Sequence, residues 1–291
     1  MRPLVGVSLM TEDAYRQAVA GLWSTGLIEA VEWTLDLGFS ADGPPAWCAE
    51  LLDQYARAGR LFGHCVAYSP LSGSFEARHR DFLTLAHEEC SSRRYRHVSD
   101  HFGFLGGGSF SFSAPLPMPR TREMVAVGRD RLRRLATATG TPVGLENLAF
   151  AFCLGDALDQ GQFLDDLLVD LDGFVLLDLH NLYCQLVNFN LDANELLRRY
   201  PLHRVREIHI SGGSFSTPTV GTNRDPVRRD THDTAIPRDV IALLPLALAR
   251  CPNVEAIIIE RLGATMTGAA SERDEMRRDL EQIHAAVEAN A

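Results

Sequence analysis

Six short apolar runs, spaced tens of residues apart, each end in or beside an ionisable side chain: His64 in LFGHCVAYS, Asp100 and His101 in HVSDHFGF, Glu146 in PVGLENLAF, Asp178 in FVLLDLHNLY, His209 in VREIHIS and Glu260 in VEAIIIER. A run this apolar reads as a buried strand, and a buried strand ending in a charge is costly unless something neutralises it. One accident of this kind is unremarkable in a chain of this size. Six of them constrain the fold to one that gathers strand ends at a common rim, and the residue types gathered there are those that bind metal ions.

The spacing between the runs supports the same architecture. Strand-like segments are expected at 3–9, 28–35, 61–68, 96–104, 142–148, 174–183, 205–211 and 254–261. Between them lie amphipathic stretches such as WCAELLDQYARAG, REMVAVGRDRLRRLATATG and DQGQFLDDLLVDLDG, with Gly or Pro near several ends. Eight βα units in 291 residues are the arithmetic of a TIM-type (β/α)8 barrel, read here as one domain over 1–291. In such a barrel the chemistry sits at the C-terminal ends of the strands, where the ionisable residues fall. A doubly wound open sheet would place its site at one switch point and leave polar residues on so many strands unexplained. Two long connections, 105–120 (GGGSFSFSAPLPMPR within it) and 212–237, read as lids over the active site.

Charge narrows the partners. A net charge of −10 argues against a generic phosphate-backbone binder, which needs clustered Lys and Arg, so no nucleic-acid partner is expected. The six cysteines form no CxxC pair, which fits neither a zinc knuckle nor a disulfide framework and suits a reduced, cytoplasmic protein. No signal-peptide core and no 18-residue apolar span is present, so no membrane association is expected.

Local motifs add detail. In DTHD, Asp230 and His232 are two apart and would point the same way on an extended segment, where they could grip one ion. Gly106 to Gly108 lack the Lys and Ser/Thr of a phosphate loop and read as a hinge. The run RDRLRRL at 129–135 reads as a solvated helix face, and Cys65, next to His64, should turn away from the cavity rather than act as a nucleophile. Imidazoles with carboxylates and no thiolate set suit iron, manganese or zinc, and a carboxylate such as Glu146 can bridge two ions.

Taken together, VEW at 31–33, HVSDHFGF, GLENLAF, LLDLHNLYCQLVNFN, EIHISGG, DTHDTAIP and IIIER, in this order, resemble the multinuclear non-haem iron-dependent oxidative enzymes, typified by the iron enzyme of methanobactin biosynthesis. The resemblance implies a xylose-isomerase-like TIM barrel holding two or three iron ions in mixed Fe(II)/Fe(III) states. It implies that dioxygen is used to modify a residue, commonly cysteine, of a ribosomally made precursor peptide, with a separate partner protein presenting the leader. Carried over motif by motif, it makes His64, His101, Glu146, Asp178, His209, Asp230, His232 and Glu260 the metal ligands. Asp100, His180 and Asn181 are assigned to catalysis around them, and Glu32 and Asp100 to orienting ligands. The chain departs from the family pattern at His180 and Gln185, where Asn is usual, and at Ser211 to Gly213, where a small residue, Gly and His are usual. These changes bear on substrate rather than on metal.

Two other functions remain compatible with ligands at strand ends. One is a divalent-metal sugar isomerase or endonuclease IV-like phosphodiesterase on the same barrel, with no dependence on dioxygen. The other is a non-catalytic metal- or peptide-binding module, marked by full ligand occupancy with no open position.

Overall fold

The computed structural model describes residues 2–40, 43–107, 110–217, 219 and 225–290. Eight parallel strands close into a barrel: β1 (Leu4–Ser8), β2 (Ala30–Thr34), β3 (Leu61–Cys65), β4 (Val98–His101), β5 (Val143–Glu146), β6 (Phe174–Asp178), β7 (Val205–Ser211) and β8 (Ala256–Glu260). The order around the barrel is β1-β8-β7-β6-β5-β4-β3-β2, so each strand pairs with its sequence neighbours and β8 closes onto β1. All eight fall inside the stretches expected from the sequence. The arrangement is the TIM-type barrel that the alternation of strand and helix patterns predicts.

Strand alternation builds two environments. Val5, Val7, Val31, Trp33, Cys65, Val98, Leu145, Val175, Leu177, Ile208, Ile257 and Ile259 face outward and pack beneath the helices in the main core. The alternate residues face inward. At the N-terminal end of the barrel a small apolar cluster of Ala30, Phe62, Ala256 and Ile258 fills the interior. Beside it the buried pair His97 and Glu207 meets at 2.7 Å, with His97 between the rings of Phe62 and Phe174 at 4.8 and 4.2 Å. Toward the C-terminal ends the interior turns polar, with Glu32 and Ser99 and then His64, His101, Glu146, Asp178, His209 and Glu260.

The helical layer comprises α1 (Asp13–Val19), α2 (Ala46–Arg57), α3 (Ala77–Ser92), α4 (Arg122–Thr139), α5 (Leu154–Leu168), α6 (Leu179–Phe189), α7 (Ala193–Leu197), α8 (Arg238–Leu248) and α9 (Ala270–Ala289). Helix α4 illustrates how local chemistry sets the boundaries. Thr121 Oγ1 accepts from the Met124 amide at its start, and Gly140 at φ 66° takes the left-handed turn that ends it.

Two boundaries differ from the sequence expectation. The strand expected over 174–183 stops at Asp178, because its carboxylate accepts from the Asn181 amide and starts α6 there. The apolar residues that follow belong to a helix. The long connection at 105–120 is not wholly irregular: Phe104–Gly107 pairs antiparallel with Phe110–Leu116, and in the second connection Phe215–Ser216 pairs with Val227–Arg228. Residues 108–109, 218 and 220–224 of these connections lie outside the described set. Among the described residues no helix is long and apolar enough to cross a membrane.

Candidate metal centre

The centre is assembled from the last inward-facing residue of successive strands. Register places His101 opposite Glu146 and Asp178 opposite His209, so side chains far apart in sequence share one layer. His64 Nε2 and His101 Nε2 each lie 3.4 Å from Glu146 Oε2. His209 Nδ1 lies 3.2 Å from Glu260 Oε2, and His232 Nδ1 lies 3.4 Å from the same oxygen. Among the described residues three groups of prospective ligand atoms have all members within 4.8 Å of one another: His64, His101 and Glu146; Glu146, Asp178, His209 and Glu260; and, deeper in the barrel, Glu32, Glu207 and His209. Glu146 belongs to the first two.

Asp230 and His232 approach from the connection after β7. His232 Nε2 lies 2.7 Å from Asp230 Oδ1, on the Glu260 side of the cluster. His232 sits at φ 51°, a conformation that costs a non-glycine residue energy and is tolerated where function requires it. Its carbonyl accepts from the Leu262 amide at 3.2 Å, which ties the strained residue to the end of β8. All eight proposed ligands therefore converge on one mouth.

The ligands are oriented from behind. His209 Nε2 meets Glu32 Oε2 at 2.9 Å, which leaves Nδ1 aimed at the cluster. His64 Nδ1 lies 2.8 Å from Ser99 Oγ, whose hydroxyl donates to Gly63 O at 3.3 Å, so the His64 proton sits on Nδ1 and its Nε2 faces Glu146. Asn181 donates from Nδ2 to Glu146 Oε1 at 3.0 Å and to Asn147 O at 2.8 Å, touching the shared carboxylate directly. Asn147 in turn clamps the end of β6, accepting from the Asp178 amide at 2.7 Å and donating to the Asp178 carbonyl at 3.1 Å.

Two of the residues assigned to catalysis sit elsewhere than at the open face. Asp100 is on the outward side of β4: its Oδ1 accepts from the His101 amide, and its charged neighbour is Asp36. Strand alternation puts it opposite His101, so it positions the backbone of that ligand and does not reach the cavity. His180 is fully buried behind Asp230, with Nδ1 3.0 Å from Asp230 Oδ1. The guanidinium of Arg228 donates to His180 Nε2 at 3.2 and 3.0 Å, which fixes the ring proton on Nδ1 and turns it toward Asp230. Arg228, Asn147, Ser99 and the His97–Glu207 pair went unnoticed in the sequence. Each lies in a loop or strand with no spacing rule to mark it.

A cation fits this donor set. His64 Nε2, Glu146 Oε2, Asp178 Oδ2, His209 Nδ1 and Glu260 Oε2 are buried atoms without a hydrogen-bond partner. Orphans of this kind cost free energy individually, and their concentration in one cavity is what bound ions would relieve. Titration tells the same story. Burial raises Glu146 well above the carboxylate range, and burial with repulsion from Asp230 pushes Asp178 to about 8. Burial also pushes Glu32 to about 7 against the pull of His209, and lowers His101 to about 4. His64 falls well below 6.5 through burial and the neighbouring His101.

These directions yield a pH dependence. Above 6.5, His64 and His101 are neutral in the folded and unfolded chain alike. Glu32 and Asp178 still hold protons in the folded chain only, so the folded state binds more protons and its stability falls as pH rises from 6.5 toward 8. Bound cations replace those protons and remove the penalty. Calorimetry of chelator-stripped protein should show Tm falling by roughly 5 °C over that interval, with the metal-loaded protein nearly flat. Parallel curves for the two forms would break the link between these carboxyls and a cation.

Comparison with known proteins follows the same lines. Residues 39–286 match the family described as RiPP precursor modification enzyme MbnB/TglH/ChrH. The UPF0276 protein of Acaryochloris marina is 27% identical over 224 residues, which cover 73% of this chain and 78% of that protein. The UPF0276 protein of Caulobacter vibrioides is 32% identical over 162 residues, 55% of each chain. Among solved structures, D-psicose 3-epimerase of Clostridium cellulolyticum superposes with a TM-score of 0.58 at 12% identity, covering 99% of this chain and 98% of that one. Endonuclease IV of Thermus thermophilus gives 0.55 at 17% identity, covering 99% and 100%. A xylose isomerase-like TIM barrel protein of Mycobacterium smegmatis gives 0.52 at 16%, covering 92% and 90%. At these identities the structural likeness is one of fold.

Proposed function

The chain belongs to the MbnB/TglH/ChrH family of RiPP precursor modification enzymes, and from that premise we propose that it is a multinuclear iron-dependent enzyme using dioxygen to modify a residue, cysteine in this reading, of a ribosomally synthesised precursor peptide. The observation that carries the proposal is Glu146, one carboxylate shared by two sets of nitrogen and oxygen donors with no thiolate among them. Such a carboxylate can bridge two ions, and a His/carboxylate set suits iron in a site that cycles redox states.

In the roles proposed here, His64, His101 and Glu146 would hold one ion, while Glu146, Asp178, His209 and Glu260 would hold a second. Asp230 and His232 would hold a third on the Glu260 side. Iron bound there would supply the binding and reduction of dioxygen and the oxidation of the substrate. Protein groups do the rest. Glu32 and Ser99 hold the imidazoles of His209 and His64 in the tautomers that face the cavity, and Asn181 steadies the shared carboxylate. Against the effect of burial, His232 first and then His180, which Arg228 locks and which donates to Asp230, hold that carboxyl well below its ordinary range. A separate protein that presents the leader of the precursor completes the proposal.

Anaerobic reconstitution with ferrous iron, followed by mass spectrometry of peptides encoded beside the gene, tests it. A mass change is expected with iron and dioxygen together, and not with zinc or without dioxygen. The same change under argon or with zinc would point to non-oxidative chemistry and overturn the reading.

A further inference from the structure

Among the described residues, nine large apolar side chains are exposed, and six of them stand on the same end of the barrel as the metal centre: Leu37, Phe150, Phe152, Leu154, Phe215 and Leu262. They follow the C-terminal ends of β2, β5, β7 and β8. The other three, Leu85, Val169 and Val187, are scattered over α3, the end of α5 and α6. Single exposed apolar residues need no explanation, but a collection around one opening marks a surface that meets an apolar partner.

Four of the six lie close to residues of the centre in sequence or by contact. Phe150 and Phe152 stand four and six residues beyond Glu146, with ring centroids 5.3 Å apart in an edge contact, and Phe152 is 64% exposed. Phe215, 53% exposed, lies 5.1 Å beneath the Arg228 guanidinium that also grips His180. Leu262 is two residues past Glu260, and its amide holds the His232 carbonyl. These residues stand on the connections that carry or adjoin the centre, at the end of the barrel from which a peptide would approach it.

We infer that this rim grips apolar side chains flanking the residue that enters the metal centre, so that the favoured substrates are peptides with aromatic or aliphatic residues close to the reacting position. A connection of four to six residues reaches at most about 13–20 Å from its ligand, which is also the span of four to six residues of extended peptide. The flanking apolar residues accordingly lie within about that many positions. The inference rests on the reading of a peptide substrate, not on the oxidation.

Fluorescence anisotropy with two short fluorescein-labelled peptides tests it on the iron-reconstituted protein. In one, a central cysteine is flanked by phenylalanine and leucine; in the other, by serine and asparagine. The apolar peptide should bind about tenfold tighter or more, a difference lost when Phe150→Ser and Phe152→Ser are combined and kept in Leu85→Ser, an exposed apolar control on α3. Equal binding of the two peptides, or equal losses in the rim and control variants, would overturn it. So would a dimer in sedimentation that the rim substitutions split while peptide binding stays unchanged, since the rim would then serve a second copy. Rim-dependent binding without any dioxygen-dependent mass change leaves the docking inference standing and removes the oxidative function. A mass change indifferent to the rim does the reverse.

Discussion

Glu146→Gln is expected to empty two metal positions at once and to lower turnover on the order of 10³-fold, because several kcal/mol of charge stabilisation leave with the ions. Glutamine keeps the volume and one carbonyl oxygen, so the fold should survive, but a neutral amide cannot bridge two cations. The loss is therefore chemical and not structural. His101→Ala supplies the contrast. It strikes only the group of His64, His101 and Glu146, and should leave the position built from Glu146, Asp178, His209 and Glu260 filled. Elemental analysis of the two variants separates the cases. Equal metal loss in both, or full occupancy in Glu146→Gln, would show that the two groups do not share this carboxylate.

Gly212→Ala is expected to detach the third position selectively. A methyl group there would overlap the backbone carbonyls of Thr234 and Ala235, and at Gly213 it would overlap the Arg229 carbonyl and come within 2.6 Å of His180 Cε1. The two glycines are what allows the strand end and the segment bearing Asp230 and His232 to lie against each other. Neither backbone can yield without moving those ligands, and a displacement of about 1 Å at a reacting centre can cost on the order of 10²-fold in rate. The expected result is one metal fewer per chain, with the Glu146-bridged positions retained and a rate lower by about that factor. Unchanged stoichiometry and rate in a folded variant would remove Asp230 and His232 from the centre.

Much of this was legible in the sequence for one physical reason. A parallel barrel buries its strands on both faces, so their apolar runs are conspicuous, and an ionisable residue at the end of such a run stands out against them. His64, Glu146, His209 and Glu260 could be found that way, and strand alternation correctly turned Cys65 outward. The same alternation, applied to HVSD, would also have turned Asp100 away from His101. The motif's two adjacent polar residues hid that consequence. At Asp178 the apolar run continues without a break into α6, and only the side-chain cap, which needs coordinates, marks the change of period from strand to helix. The Arg228–His180–Asp230 relay was invisible because its members come together through the pairing of Phe215–Ser216 with Val227–Arg228. No periodicity in a long connection announces a two-residue ribbon.

The plug of His97, Glu207, Phe62 and Phe174 at the far end of the barrel has a consequence for traffic. It fills the interior at that end, so that the proposed ions and peptide would both arrive from the C-terminal ends of the strands. Under the proposed function, cations would load before the substrate and leave after it, and a peptide seated at that end would shield the ions beneath it from a chelator.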